Sequence, residues 1–185
     1  MRHRPHLAAV LVGTALVLTA CSTGSNASVA GSVTCPDGSE PTTPAGPDAL
    51  PVATLGVLGA EESVSTTCLV GTPLVVNFWA EWCGPCKAEM PDFEAVHQAL
   101  GDQVRFVGID LEDRPSAALA FADEVGVTYE LLEDPSGDYF RAVQGRGTPQ
   151  TLLVAADGSV RYRHAGPMTR ETLEDLLAEH LGITG

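Results

Sequence analysis

Basic side chains are scarce in this chain. Lysine and arginine together number 10 against 24 aspartates and glutamates, which gives a formal net charge of −14, and Lys87 is the only lysine. Nucleic acids and anionic lipid headgroups are bound by charge through basic patches, so the composition argues against both kinds of ligand. We therefore expect no nucleic-acid partner.

The chain also lacks the residue sets that usually complete a metal site. Cys83 and Cys86 form a C-x-x-C motif, but there is no second C-x-x-C, no H-x-x-x-H pair and no tract rich in methionine or histidine. A structural zinc site needs four ligands, and a Cu(I) carrier would draw on further soft ligands. We therefore expect no metal and no cofactor, with a copper- or zinc-binding lipoprotein as an alternative hypothesis.

The apolar run near the N terminus, from Leu7 to Ala20, is too short for a comfortable membrane span. Arg2 and Arg4 precede it, which is the layout of a secretory signal, so we interpret residues 1–20 as a signal peptide. The following Leu18-Thr19-Ala20-Cys21 resembles the lipobox of bacterial lipoproteins. This resemblance implies that Cys21 is lipidated and anchors the chain to the membrane. A plain secretory signal with cleavage nearby is the alternative.

Residues 21–48 are rich in serine, threonine, glycine and proline. Such a composition is typical of linkers that are partly flexible and partly extended. We predict a linker that holds a domain at residues 49–185 away from the membrane.

A strand followed by a helix is predicted around the cysteine pair. Residues 74–79 are apolar, β-branched or aromatic, which indicates a buried strand. Gly84 and Pro85 then favour the first turn of a helix, with Cys83 at its N terminus and Cys86 about one turn inside. A helix N terminus can lower a cysteine pKa from about 8.5 to between roughly 3.5 and 7.5. We predict that Cys83 attacks a partner's disulfide and that Cys86 resolves the mixed disulfide.

The segment Asn77 to Lys87, NFWAEWCGPCK, resembles the active-site segment of thioredoxins. The surrounding chain, from about residue 50 to 182, resembles the membrane-tethered TlpA/ResA-like thiol-disulfide reductases. This resemblance implies a thioredoxin-like α/β fold, with a central mixed β-sheet flanked by helices and an N-terminal extension. It also implies a cis proline at Pro149 facing the cysteine pair, and substrate contacts from Trp82 and from the backbone of Thr148.

Two positions differ from cytoplasmic thioredoxin. Asn77 stands where thioredoxin has a buried aspartate, and an amide cannot act as a base. Glu89 matches a glutamate that the TlpA/ResA-like group carries near its active site, so the resemblance implies that Glu89 manages the proton of Cys86. The alternative is that Glu89 is a solvated helix residue.

The remaining cysteines allow a second disulfide. If Cys21 is lipidated, four cysteines remain and three connectivities are possible. The C-x-x-C spacing selects Cys83 with Cys86 and leaves Cys35 with Cys68. An exported protein can keep such a bond, and we interpret it as structural. A redox relay to Cys83/Cys86, or no bond at all, are the alternatives.

The rest of the chain predicts a regular α/β succession. The predicted elements are a β element in residues 50–70, strands at 104–111, 129–132, 151–155 and 160–164, a cysteine-bearing helix that continues to Leu100 with a kink at Pro91, and helices at 115–125, 136–143 and 169–181.

The sequence thus predicts an extracytoplasmic, lipid-anchored thiol-disulfide oxidoreductase that reduces disulfides of exported proteins. The family resemblance implies that apocytochromes c are among its substrates and that an integral-membrane thiol protein supplies its electrons. We expect a monomer. Direction depends on the reduction potential of the pair, so a thiol oxidase that forms disulfides in exported proteins is the alternative.

Overall fold

The computed structural model describes residues 35–111 and 114–185. The predicted signal peptide, Cys21 and the linker up to residue 34 lie outside the described residues. Within the described ranges, no helix combines the length and the apolar character needed to cross a membrane.

The described residues form a seven-stranded mixed sheet with four helices. The strand order is β2-β1-β5-β4-β3-β6-β7. The strands are β1 Thr54–Val57, β2 Ser63–Ser65, β3 Leu74–Trp79, β4 Arg105–Leu111, β5 Glu130–Asp134, β6 Gln150–Val154 and β7 Val160–Ala165, and the helices are α1 Gly84–Leu100, α2 Pro115–Val125, α3 Asp138–Ala142 and α4 Arg170–Leu181.

Strand β3 lies in the interior of the sheet, between β4 and β6, and all six of its side chains are buried. It runs parallel to β4 and antiparallel to β6. On one face of the sheet, Val75 packs with apolar side chains of α1 and α4. On the other face, Phe78 packs in a cluster that contains Tyr139 of α3 and the cysteines Cys35 and Cys68. The strand therefore carries apolar contacts to both layers, as a continuous hydrophobic run predicts.

The N-terminal β element is a hairpin of β1 and β2, followed by a short 3-10 helix at Thr66–Cys68. The predicted β element is thus present, and it extends the sheet beyond β5.

Residues 35–48 belong to the folded domain, although their composition predicts a linker. The Thr42 N–H donates to the Thr67 carbonyl at 2.8 Å, and the Ala45 N–H donates to the Asp157 carbonyl at 3.0 Å. The Asp48 carbonyl in turn accepts from Val160 at 2.9 Å. These backbone groups are paired with the domain, so the folded unit begins before the predicted boundary at residue 49.

Helix α1 runs from Gly84 to Leu100 and contains Pro91, as the sequence predicts. Helix α2 has the predicted bounds, with Gly126 in the left-handed conformation (φ 78°) at its end. Helix α4 begins as predicted, because the Thr169 hydroxyl accepts the Thr172 N–H at 3.3 Å.

Candidate active site

The cysteine pair lies where β3 passes into α1. Cys83 is the N-cap residue of the helix, and its Sγ accepts the backbone N–H of Cys86 at 3.2 Å. The two cysteines are joined by a disulfide, with Cα atoms 5.3 Å apart. Cys83 is 5% exposed and Cys86 is fully buried. In the reduced protein, the same N–H and the helix N terminus would favour a thiolate on Cys83, which is the more accessible sulfur.

The Lys87 side chain, near the start of α1, makes two contacts. Its Nζ pairs with Glu81 at 3.0 Å and lies 4.8 Å from the centre of the Phe121 ring in α2. A cation over an aromatic ring is an attractive contact. These contacts tie the start of the helix to its surroundings.

The Thr148–Pro149 peptide bond is cis. Phe78 near the end of β3 pairs with Gln150 at the start of β6, so Pro149 lies at the same end of the sheet as Cys83. The Pro149 carbonyl accepts the Gly166 N–H at 2.9 Å, which fixes the loop against β7. The cis proline and the cysteine pair therefore share one edge of the sheet.

Trp82 and Thr148, the two predicted substrate contacts, meet in the lining of one cavity of about 120 Å³. Trp82 is 62% exposed, which is unusual for a large aromatic side chain. Other parts of the lining come from Leu111 at the end of β4 and from Phe140 in α3. Arg141 also lines this cavity, so the structure offers a largely apolar, accessible surface beside Trp82, the neighbour of Cys83 in the chain, where a polypeptide can lie.

Glu89 is a buried residue, 2% exposed, and not the solvated helix glutamate of the alternative interpretation. Its Oε1 accepts from the Asn77 side-chain amide at 2.9 Å, and its Oε2 accepts the Met168 backbone N–H at 3.1 Å. Asn77 also donates to the Thr151 hydroxyl at 3.3 Å. Asn77 of β3 and Met168, before α4, therefore hold this carboxyl, and Thr151 of β6 is a second partner of the Asn77 amide.

Burial raises the pKa of Glu89 to about 7, although the hydrogen bonds from Asn77 and Met168 oppose the shift. A carboxyl with this pKa exchanges its proton near neutral pH. Glu89 follows Cys86 by three residues on α1, and side chains at this spacing share a helix face. The arrangement suits proton exchange between the two side chains.

Sequence reasoning missed three partners in this site. Thr151 and Met168 reach Asn77 and Glu89 only through contacts between distant segments, and no local sequence pattern predicts these contacts. Gln150 has a structural role, because its Oε1 accepts the Arg146 N–H at 3.3 Å within the loop that carries the cis proline. A polar side chain directly after Thr148-Pro149 was the only available signal.

The second cysteine pair lies at the other end of β3. Cys35 and Cys68 form a disulfide, and both are 3% exposed. Cys68 precedes β3 and Cys83 follows it, and six residues of strand span about 20 Å. Thiol-disulfide exchange requires one sulfur to contact another, so this geometry favours a structural bond over a relay.

The described residues offer little for the metal-binding hypothesis. Among residues 35–111 and 114–185, no group of three or more histidine, cysteine, aspartate or glutamate residues is placed to hold a metal ion. Two thiolates alone would leave half of a tetrahedral zinc shell unfilled.

A family model described as Redoxin matches residues 44–179, which is more than half of the chain. The chain belongs to the redoxin family. Its relatives include the thiol:disulfide interchange protein HelX of Rhodobacter capsulatus, which is 35% identical over 135 residues, covering 72% of this chain and 74% of HelX.

Two solved structures resemble the fold of this family member. The structure of a putative thiol:disulfide interchange protein DsbE from Chlorobium tepidum gives a TM-score of 0.67 at 24% identity, covering 76% of this chain and 100% of that chain. The structure of a secreted Mycobacterium tuberculosis disulfide oxidoreductase homologous to Escherichia coli DsbE gives a TM-score of 0.63 at 25% identity. The match covers 69% of this chain and 95% of that chain. The thioredoxin-like fold and the TlpA/ResA-like assignment are therefore confirmed, and the chain is a thiol-disulfide oxidoreductase.

Proposed function

We propose that this oxidoreductase works as a reductase of disulfides in exported polypeptides. The observation that carries the proposal is the buried carboxyl of Glu89, with a pKa near 7, on the same helix face as Cys86. A buried thiol in apolar surroundings resists ionisation, so Cys86 needs a base before it can attack. Glu89 supplies that base near neutral pH.

The reductive cycle follows from these positions. The Cys83 thiolate attacks one sulfur of the partner's disulfide, forming a mixed disulfide and releasing the other sulfur as a thiolate. Cys86 then passes its proton to Glu89 and attacks the Sγ of Cys83. The second partner sulfur leaves as a thiolate, and the Cys83–Cys86 disulfide remains. Two electrons have moved from the dithiol to the partner, whose thiolates take up protons.

The surroundings of Cys83 favour the reducing direction. A strong oxidant such as DsbA owes its potential to a stabilised reduced form. Here Cys83 receives one backbone N–H at 3.2 Å and the helix N terminus, while the Lys87 cation pairs with Glu81. Cys86 packs among apolar side chains, including Met90 and Phe121. We infer from these contacts that the Cys83 thiolate is only modestly stabilised, which would keep the dithiol a good electron donor.

The proposed setting is the outer face of the bacterial cell membrane. The resemblance of residues 18–21 to a lipobox supports a lipid anchor at Cys21, and the name of the similar Mycobacterium tuberculosis protein describes it as secreted. An integral-membrane dithiol protein would re-reduce the pair after each cycle. Apocytochromes c, which the resemblance to TlpA/ResA-like reductases implies, are the proposed substrates within the wider class of exported disulfide proteins.

A single-turnover experiment tests this function. The full chain is reduced, freed of reductant and mixed with an exported polypeptide that contains one disulfide, such as an oxidised apocytochrome c. We expect one substrate disulfide to be reduced for each Cys83–Cys86 disulfide formed. Cys86→Ala should accumulate a mixed disulfide through Cys83. Cys83→Ala should form no mixed disulfide and reduce no substrate. Cys35→Ala/Cys68→Ala is the control and should retain the reaction. Failure of Cys86→Ala to trap any substrate would contradict the proposal.

A further inference from the structure

Most basic side chains in the described part of this acidic protein are paired with carboxylates. Ion pairs join the basic residues Lys87, Arg105, Arg141, Arg161 and Arg170 to Glu81, Glu130, Asp138, Asp157 and Glu174. Arg114, Arg146 and Arg163 make no ion pair with any described carboxylate. Two of these three, Arg146 and Arg163, lie in the lining of the same cavity.

This cavity, which we call the arginine cavity, has a volume of about 210 Å³. Its lining contains no carboxylate and consists of Gln144, Arg146, Gln150, Arg163, His164 and Ala165. One guanidinium nitrogen of Arg163 donates to the Val143 carbonyl at 2.7 Å, which orients the side chain. Because a guanidinium has five N–H donors, others remain for a ligand. With two guanidinium groups and no carboxylate in its lining, the cavity favours a negatively charged ligand.

The arginine cavity lies beside the cis-proline loop. Arg146 and Gln150 flank Thr148-Pro149, and Gln150 pairs with Ala165 across β6 and β7. The same loop contributes Thr148 to the cavity that contains Trp82. A polypeptide bound along Thr148 would therefore have neighbouring residues next to Arg146. Arg146 precedes Thr148 by two residues, so at about 3.3 Å per extended residue a side chain a few positions along the bound polypeptide comes within reach.

We propose that the arginine cavity is a subsite for a carboxylate side chain of the polypeptide substrate, two to four positions from its reacting cysteine. This inference rests on the proposed function. Guanidinium groups bind carboxylates through paired, charge-assisted hydrogen bonds, which suits two arginines without acidic partners. The Gln150 oxygen is engaged by the Arg146 N–H, and its amide nitrogen is a further donor for the same ligand. The subsite would give the enzyme a preference for polypeptides that carry a carboxylate near the reacting cysteine.

Matched peptides test the subsite. Two disulfide-bonded peptides differ only in a glutamate or a glutamine three positions from the cysteine, and the reduced full chain is mixed with each at low ionic strength. We expect the glutamate peptide to react about two- to fivefold faster, a size typical of partly exposed charge pairs. Arg146→Gln/Arg163→Gln should react with both peptides at equal rates. Arg146→Gln is also measured alone, because Arg163 supports the Val143 carbonyl, and it should lose part of the preference.

Arg161→Gln is the matched control. Arg161 lies on the same strand as Arg163 but pairs with Asp157 and does not line the cavity, so this variant should keep the preference. If the wild-type protein reduces both peptides at equal rates, or if Arg161→Gln loses the preference as the double variant does, the subsite is overturned. Reduction of both peptides would still support the proposed reductase function. If neither peptide is reduced, binding is measured with unreactive peptides in which serine replaces cysteine. Tighter binding of the glutamate peptide, lost in Arg146→Gln/Arg163→Gln, supports the subsite. Equal binding of the two peptides overturns it.

Discussion

The Glu89 carboxyl holds its proton more tightly in the folded protein than in the unfolded chain. Burial raises its pKa to about 7, against 4.5 for the ordinary group. Between these values the folded state binds more protons than the unfolded state, so the free energy of unfolding falls as pH rises. The contribution is fully present below about pH 4.5 and is lost as pH rises through 7.

This pKa predicts a pH dependence of stability. Between pH 4.5 and 8, the titration of Glu89 should lower the free energy of unfolding of the wild-type protein by about 3 kcal/mol, and Glu89→Gln should lack this decline. Denaturant unfolding of both proteins across this range measures the difference, since other titrating groups contribute equally to each. Parallel curves for the two proteins would show that Glu89 has an ordinary pKa.

The same residue should control the second chemical step. Glu89→Gln is expected to slow resolution of the mixed disulfide by about 100-fold, because Cys86 loses its proton acceptor. In the wild-type protein this step should accelerate up to about pH 7 and then level off. Quenched-flow analysis of the mixed disulfide measures the step, with Glu94→Gln on the same helix as the control. A loss of rate with an unchanged pH profile would point to a packing defect instead.

At the scale of elements, helix α2 depends on the glycine that ends it. Gly126 has φ 78°, and a Cβ there would meet no atom within 4 Å. The penalty of Gly126→Ala is therefore conformational, and we expect a loss of about 1 kcal/mol in the free energy of unfolding. Gly126→Asn should lose less, because asparagine tolerates this conformation. Denaturant unfolding tests both, and equal losses would contradict this explanation.

The N-terminal segment is joined to the sheet by the Cys35–Cys68 disulfide, which closes a loop with a sequence separation of 33. Removing it as Cys35→Ala/Cys68→Ala should lower the free energy of unfolding by roughly 3.5 kcal/mol in the chain-entropy model. The rate of disulfide reduction by Cys83 should not change, because the two pairs lie at opposite ends of β3. A parallel loss of rate would revive the relay interpretation.

At the scale of the whole molecule, local sequence patterns predict helices and strands, whereas contacts between distant segments cannot be predicted from the sequence. The bounds of α2 can be predicted from the sequence because Pro115 begins the helix and Gly126 ends it. Strand β3 can be predicted from one apolar run. The environment of Glu89 does not, because Met168 is 79 residues away and reaches it only in the folded chain.

The assignment of residues 35–48 to a linker shows the same limit. Their composition is that of a linker, but composition does not reveal that backbone groups such as the Thr42 N–H pair with the domain. The cavity lined by Arg146 and Arg163 was equally invisible, since an antiparallel register brings the loop and β7 together.

The most direct test of the account is the equilibrium reduction potential of Cys83/Cys86, measured against a thiol redox buffer with Cys35→Ala/Cys68→Ala as the control. The modest stabilisation of the Cys83 thiolate and the burial of Cys86 predict a value near that of thioredoxin, about −270 mV, in both proteins. A value near that of DsbA, about −120 mV, would contradict the reductase function and assign disulfide formation to this site.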